Sequence, residues 1–85
     1  MEVYFTKHAL KKKEILKDLG WDLDFDLVEQ TVSKPEFVGK TKTGEKFALK
    51  TLDKNHRLRV VYKVEGAIIK VITFHVIKKG RYDEK

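Results

Sequence analysis

The sequence predicts an α+β fold: two N-terminal helices packed on a four-stranded, mainly antiparallel twisted sheet. Three observations predict it. Apolar residues follow a helical spacing before Pro35, the only proline, and strand-like runs dominate after it. Thr43-Gly44 and Glu65-Gly66 then break those runs where hairpin turns belong. The 85 residues suffice for one domain, spanning 1–85, with a single modest core.

Val3-Tyr4-Phe5 has the composition of a short additional strand. Thr6 can cap a helix that runs to about Leu19, with Gly20 as its stop. On that helix His8, Lys12, Ile15, Leu16 and Leu19 fall on one side, so His8 and Lys12 share the apolar stripe one turn apart. A second helix is expected from about Phe25 to Ser33, burying Phe25, Val28 and Val32, with acids at its start and Lys34-Pro35 at its end. The acids of "DLDFD" do not begin a calcium loop, because Leu27 and Ser33 stand where that loop needs Gly and Glu.

Four strands follow. "EFVGKTK" and "EKFALKTL" flank Thr43-Gly44, "DKNH" makes a turn, and "RLRVVYKV" and "AIIKVITFHVI" flank Glu65-Gly66. With Glu65 and Gly66 as loop residues, Val64 pairs with Ala67, Tyr62 with Ile69, Val60 with Val71 and Leu58 with Thr73. One face is then Leu58, Val60, Tyr62, Val64, Ala67, Ile69 and Val71, which the helices should cover. The other holds Arg57, Arg59, Val61, Lys63, Ile68, Lys70, Ile72 and Phe74, alternately basic and apolar.

A net charge of +6 favours acidic partners, either nucleic acid or an acidic protein chain. The absence of cysteine rules out disulfide and thiolate chemistry and suits a reducing cytoplasm. No apolar segment suggests a signal peptide or membrane span. One Asn and one Gln beside abundant Lys and Glu suit a thermophile. No phosphate loop, carboxylate pair or Ser-His-Asp pattern is present, and His8, His56 and His75 lack metal-ligand spacing. Neither metal nor cofactor is therefore expected.

The remaining chemistry is cationic. Arg57, Arg59, Lys63, Lys70 and Lys78 suit a phosphate backbone, with Phe74 placed for base stacking. The same residues also suit an ordinary solvated sheet face. His75 lies beside the basic ending "KKGRY", and His56 is expected opposite it. Attack of an RNA 2′-hydroxyl needs a base, an acid for the leaving 5′-oxygen and cations for the developing charge. His75, Lys79, Arg81 and Tyr82 can supply these roles, although a solvated tail has the same composition.

"FTKHALKK", the acid-led second helix, "LRVVYKVEG" and "IIKVITFHVIKKGRY" together resemble a family of small prokaryotic domains of unknown function. Those domains begin with a His-Ala-x-x-Arg helix and are grouped with RelE/BrnT-like toxins of toxin–antitoxin systems. The motif maps onto His8 and Ala9, with Lys12 where Arg is usual, which keeps the charge and loses bidentate geometry. The resemblance implies a RelE-like fold and metal-independent mRNA cleavage, with RNA or ribosome-bound mRNA and an antitoxin as partners. Arg81 and Tyr82 are then the leading catalytic residues, supported by His75 and Lys79. Two alternatives stay open: a non-catalytic nucleic-acid-binding module, and a protein-interaction domain for an acidic partner.

Overall fold

A computed structural model describes residues 2–79. The order is β1 (Glu2–Phe5), α1 (Lys7–Asp18), α2 (Phe25–Ser33), β2 (Phe37–Lys40), β3 (Lys46–Thr51), β4 (His56–Glu65) and β5 (Ile68–Lys78). The strands form one five-stranded sheet in the order β1-β5-β4-β3-β2. β1 pairs parallel to β5 and every other neighbour is antiparallel, so the sheet is mixed. No helix among the described residues is long and apolar enough to cross a membrane.

Thr6 joins the first strand to the first helix. Its hydroxyl caps α1 by accepting from the Ala9 N–H at 3.1 Å, and donates to the Ile72 carbonyl of β5 at 2.9 Å. Its own N–H donates to the Val71 carbonyl at 3.1 Å. Asp24 caps α2 by accepting from the Leu27 N–H at 2.8 Å. Gly20 ends the first helical segment at φ 98°, a backbone region that side chains with Cβ seldom occupy.

The buried stripe of α1 is Ala9 and Leu16; Ile15 and Leu19, expected inward, face out, and Leu19 is 70% exposed. His8, also expected inward, is exposed, and Lys12 is half-buried. On α2 the interior residues are Val28, Thr31 and Val32. Thr31 is tolerated because its hydroxyl donates to the Leu27 carbonyl at 2.8 Å. Phe25 is exposed at the helix start, with its ring 4.7 Å from Phe5.

The β4–β5 hairpin departs from expectation in two ways. Glu65 pairs with Ile68, so Gly66 and Ala67 make the turn, with Gly66 at φ 63°. This moves the pairing by two positions, Val64 to Ile69 and Tyr62 to Val71, and leaves the faces unchanged. A bulge then intervenes: Val61 pairs with Thr73, and Ile72 has no partner on β4. One extra residue inverts the facing of everything beyond it.

Phe74 therefore enters the helix-covered core, where it is wholly buried with Leu58, Val60, Val71, Val28 and Ala9. The expectation that Phe74 is available to stack on a base is corrected by this burial. His56 pairs with Lys78, and His75 pairs with Arg59, not with His56. Leu58, Val60 and Tyr62 join the core as expected. Phe74→Ala should lower the unfolding free energy by about 3–5 kcal/mol. Urea denaturation reads this, and a loss below about 1 kcal/mol would place the ring outside the core.

Candidate nucleic-acid interface

Alternation along the paired strands puts Arg57, Arg59, Val61 and Lys63 of β4 on the sheet face away from the helices. Beside them lie Lys70, Thr73, His75 and Ile77 of β5, Phe47 and Leu49 of β3, and Phe37 of β2. This face is not simply solvated. Leu49 is 1% and Val61 5% exposed, though neither belongs to the helix-side cluster. Their register neighbours Phe37, Phe47 and Arg59 shield them. The Arg59 guanidinium stands 4.5 Å over the Phe47 ring, and that ring is 6.0 Å from Phe37.

Gly39 of β2 makes this arrangement fit. A Cβ there would come within 2.5 Å of Phe47 Cζ, so the ring lies directly on the glycine backbone. Phe47 in turn holds Arg59 across the sheet, next to His75.

The other boundary of the site comes from the short first strand. β1 ends at Phe5 opposite Val71, leaving the later part of β5 with no strand on that side among the described residues. α1 packs on β5 there. His75 is half-buried and its pKa is depressed, first by burial and then by the neighbouring charges of Lys12, Arg59 and His8. Helix and sheet thus converge on one imidazole: His8 and Lys12 one turn apart on α1, Arg59 across the ladder. The Thr73 hydroxyl, also on this face, is buried and has no hydrogen-bond partner among the described residues.

Lys63 and Lys70 are direct cross-strand partners, a like-charge pairing that works against stability. Glu65 lies 3.7 Å from Lys70 and offsets it in part. The acids concentrate elsewhere, with Asp22, Asp24 and Asp26 lining a cleft at the start of α2. Glu36 accepts from the Thr51 N–H at 3.2 Å and hydroxyl at 2.8 Å, bonds that, with Arg57 and Lys50 nearby, hold its carboxyl below the usual range. No group of three or more metal-ligating side chains occurs among the described residues.

Arg57, Arg59, Lys63, Lys70 and His75 therefore share the open face, and Lys12 and His8 on α1 act electrostatically on His75. Lys78 and Lys79 lie at the far end of β5, where the Lys79 N–H donates to the Asn55 carbonyl at 2.9 Å. Arg81 and Tyr82 lie outside the described residues. Sequence reasoning missed the Phe37–Phe47–Arg59 roof and the link from α1 to His75. The adjacent valines 60 and 61 carried a signal for the former, since consecutive buried apolar residues on one strand imply cover on both faces. No family model, curated protein or solved structure matches the chain.

The His75 shift has a stability consequence with a definite sign. Its folded pKa lies below the ordinary 6.5, so the unfolded chain takes up this proton first as pH falls. The associated stability is complete above pH 6.5 and is lost as pH drops through the folded pKa. His75→Gln should flatten the decline of urea midpoints between about pH 7.5 and about pH 5. Parallel wild-type and variant curves would show that His75 titrates as an ordinary surface residue.

Proposed function

We propose that the chain binds RNA across the open sheet face and cleaves it without a metal, as a RelE/BrnT-like toxin. The observation that carries this reading is His75, half-buried and paired across the ladder with Arg59 in a face rich in cations, with Lys12 of the helix acting on it electrostatically. Burial and then the neighbouring charges, Lys12 and Arg59 foremost, favour the neutral imidazole, the form required of a general base. In the proposed reaction His75 takes the 2′-hydroxyl proton and the 2′-oxygen bonds to phosphorus. The phosphorus–5′-oxygen bond breaks, and the leaving oxygen takes a proton from an acid. Arg59 and Lys12 stabilise the negative charge that builds on the phosphorane.

Arg57, Lys63 and Lys70 extend the positive track along the face, and the half-exposed Phe37 ring at its margin offers a stacking surface in place of Phe74. Arg81 and Tyr82, with Lys79, remain proposed contributors through the resemblance: Arg81 as a charge donor and Tyr82 in proton transfer. An acidic or amphipathic antitoxin would complement the same cationic face, and the proposed setting is the cytoplasm, on free or ribosome-bound mRNA.

Two measurements test this reading. Affinity for single-stranded RNA should fall steeply with salt, and Arg57→Ala with Arg59→Ala should reduce the slope of log affinity against log salt by about one per lost phosphate contact. No binding at low salt, with or without ribosomes, would leave the protein-interaction reading in its place. For catalysis, His75→Ala or Arg81→Ala should slow mRNA cleavage by about 10²–10³, with most RNA affinity retained. Binding without cleavage by the wild-type protein would identify a non-catalytic nucleic-acid module.

A further inference from the structure

A second cationic site lies at the end of the sheet, on the side opposite the proposed RNA face. β3 and β4 are joined by a tight turn in which the Leu52 N–H donates to the His56 carbonyl at 2.9 Å. Inside the turn, Asp53 Oδ1 accepts from the Asn55 N–H at 2.8 Å and lies 2.9 Å from His56 Nδ1. These bonds, the Asn55 N–H first, hold the Asp53 carboxyl below its usual range. The opposite flank of the imidazole is Trp21, whose ring meets it edge-on at 4.9 Å. With Nδ1 engaged by Asp53, Nε2 is the ring nitrogen left for another partner.

Lys78 is the cross-strand partner of His56, and Lys79 is tied to the same turn through its N–H bond to Asn55. Asn55, His56, Lys78 and Lys79 line a cleft of about 410 Å³. Neither lysine makes an ion pair among the described residues. Among the described residues, the carboxylate that meets the imidazole is Asp53, which is engaged at Nδ1. Two ammonium groups, an oriented imidazole and an aromatic flank form a cleft suited to a small, strongly hydrogen-bonding anion.

We propose that this cleft binds a phosphate group, held by Lys78 and Lys79 against His56, whose Nε2 donates to the phosphate in the imidazolium form, with Asp53 as the residue that positions the ring. It shares only Lys79 with the cleavage reading and is anchored elsewhere, because His56 projects to the helix side with Leu58 and Val60. Failure of RNA cleavage therefore leaves it standing.

Trp21 is the only tryptophan and meets the His56 ring, so its fluorescence reports on changes at that imidazole. The full chain is titrated with inorganic phosphate against chloride at matched ionic strength, while the imidazole resonances of His8, His56 and His75 are followed by NMR. The expected result is a saturable fluorescence change and movement of the His56 resonances with phosphate. Lys78→Ala with Lys79→Ala should weaken half-saturation by about tenfold or more, and Asp53→Asn should weaken it while both lysines remain. Parallel titrations with 5′-phosphorylated and unphosphorylated oligonucleotides identify the source. A stronger response to the phosphorylated strand assigns a strand end, equal responses assign internal phosphodiesters, and a response to inorganic phosphate alone assigns the free anion. An equal response to chloride, or unchanged titration in the double lysine variant with circular dichroism intact, would overturn the proposal.

Discussion

The arrangement depends on one unpaired residue. Ile72 has no partner on β4, and the facing of β5 inverts there. Without the inversion, Phe74 and Val76 would leave the helix side and His75 would be forced into the core. A bulge is held in place only if its displaced backbone groups find partners. Thr6 supplies one of them, because its hydroxyl takes the Ile72 carbonyl while also capping α1. The same short contact ends β1, starts the helix and fixes the point at which β5 changes face. The positions of His8 and Lys12 follow from it, since both lie in the first turns of the helix that Thr6 anchors.

The open sheet face carries an electrostatic disadvantage. Two lysines face one another across β4 and β5, and an imidazole sits among cations at half-burial. A fold selected for stability alone would alternate charge on this face or leave it neutral. The strain is moderated locally: Glu65 approaches Lys70, and Phe47 receives the Arg59 guanidinium on its π face. The Asp22, Asp24 and Asp26 cluster is kept on the helix side of the chain, at the α2 start, where negative charge favours the helix dipole.

Much of this was legible in the sequence. Helical periodicity, the acids at its start and Lys34-Pro35 at its end located α2 at its observed bounds, and Thr6 with Gly20 bracketed α1. Hydrophobic alternation assigned Leu58, Val60 and Tyr62 to the core and Arg57, Arg59 and Lys63 to the other face. The bulge was hidden because "KVITFHVI" carries apolar residues at both parities, so no pattern marks which one is surplus. Phe74 was misassigned to the open face for that reason, and the expected His56–His75 pairing failed through the bulge together with the displaced turn. The parallel pairing of β1 was equally hidden, because a four-residue strand has no local turn to declare its partner. On α1, Ile15 and Leu19 have helical spacing yet are exposed, because the stripe turned to the sheet runs through Ala9 and Leu16.

β1 and β5 are adjacent in the sheet although they stand at opposite ends of the order of elements, and the Thr6–Ile72 bond spans 66 positions. During synthesis, the chain from β1 through β4 must wait for β5 before Phe5, Ala9 and Leu16 acquire the wall they pack on. Local helix formation can proceed early, but the central ladder cannot. A ribosome-bound fragment lacking β5 would carry an open β4 edge and a bare apolar surface, the features that invite aggregation or capture by chaperones. Maturation should therefore occur late and in a single cooperative step. The same timing delays formation of the cationic face, since His75 and its cross-strand arginine come together only when the last strand docks.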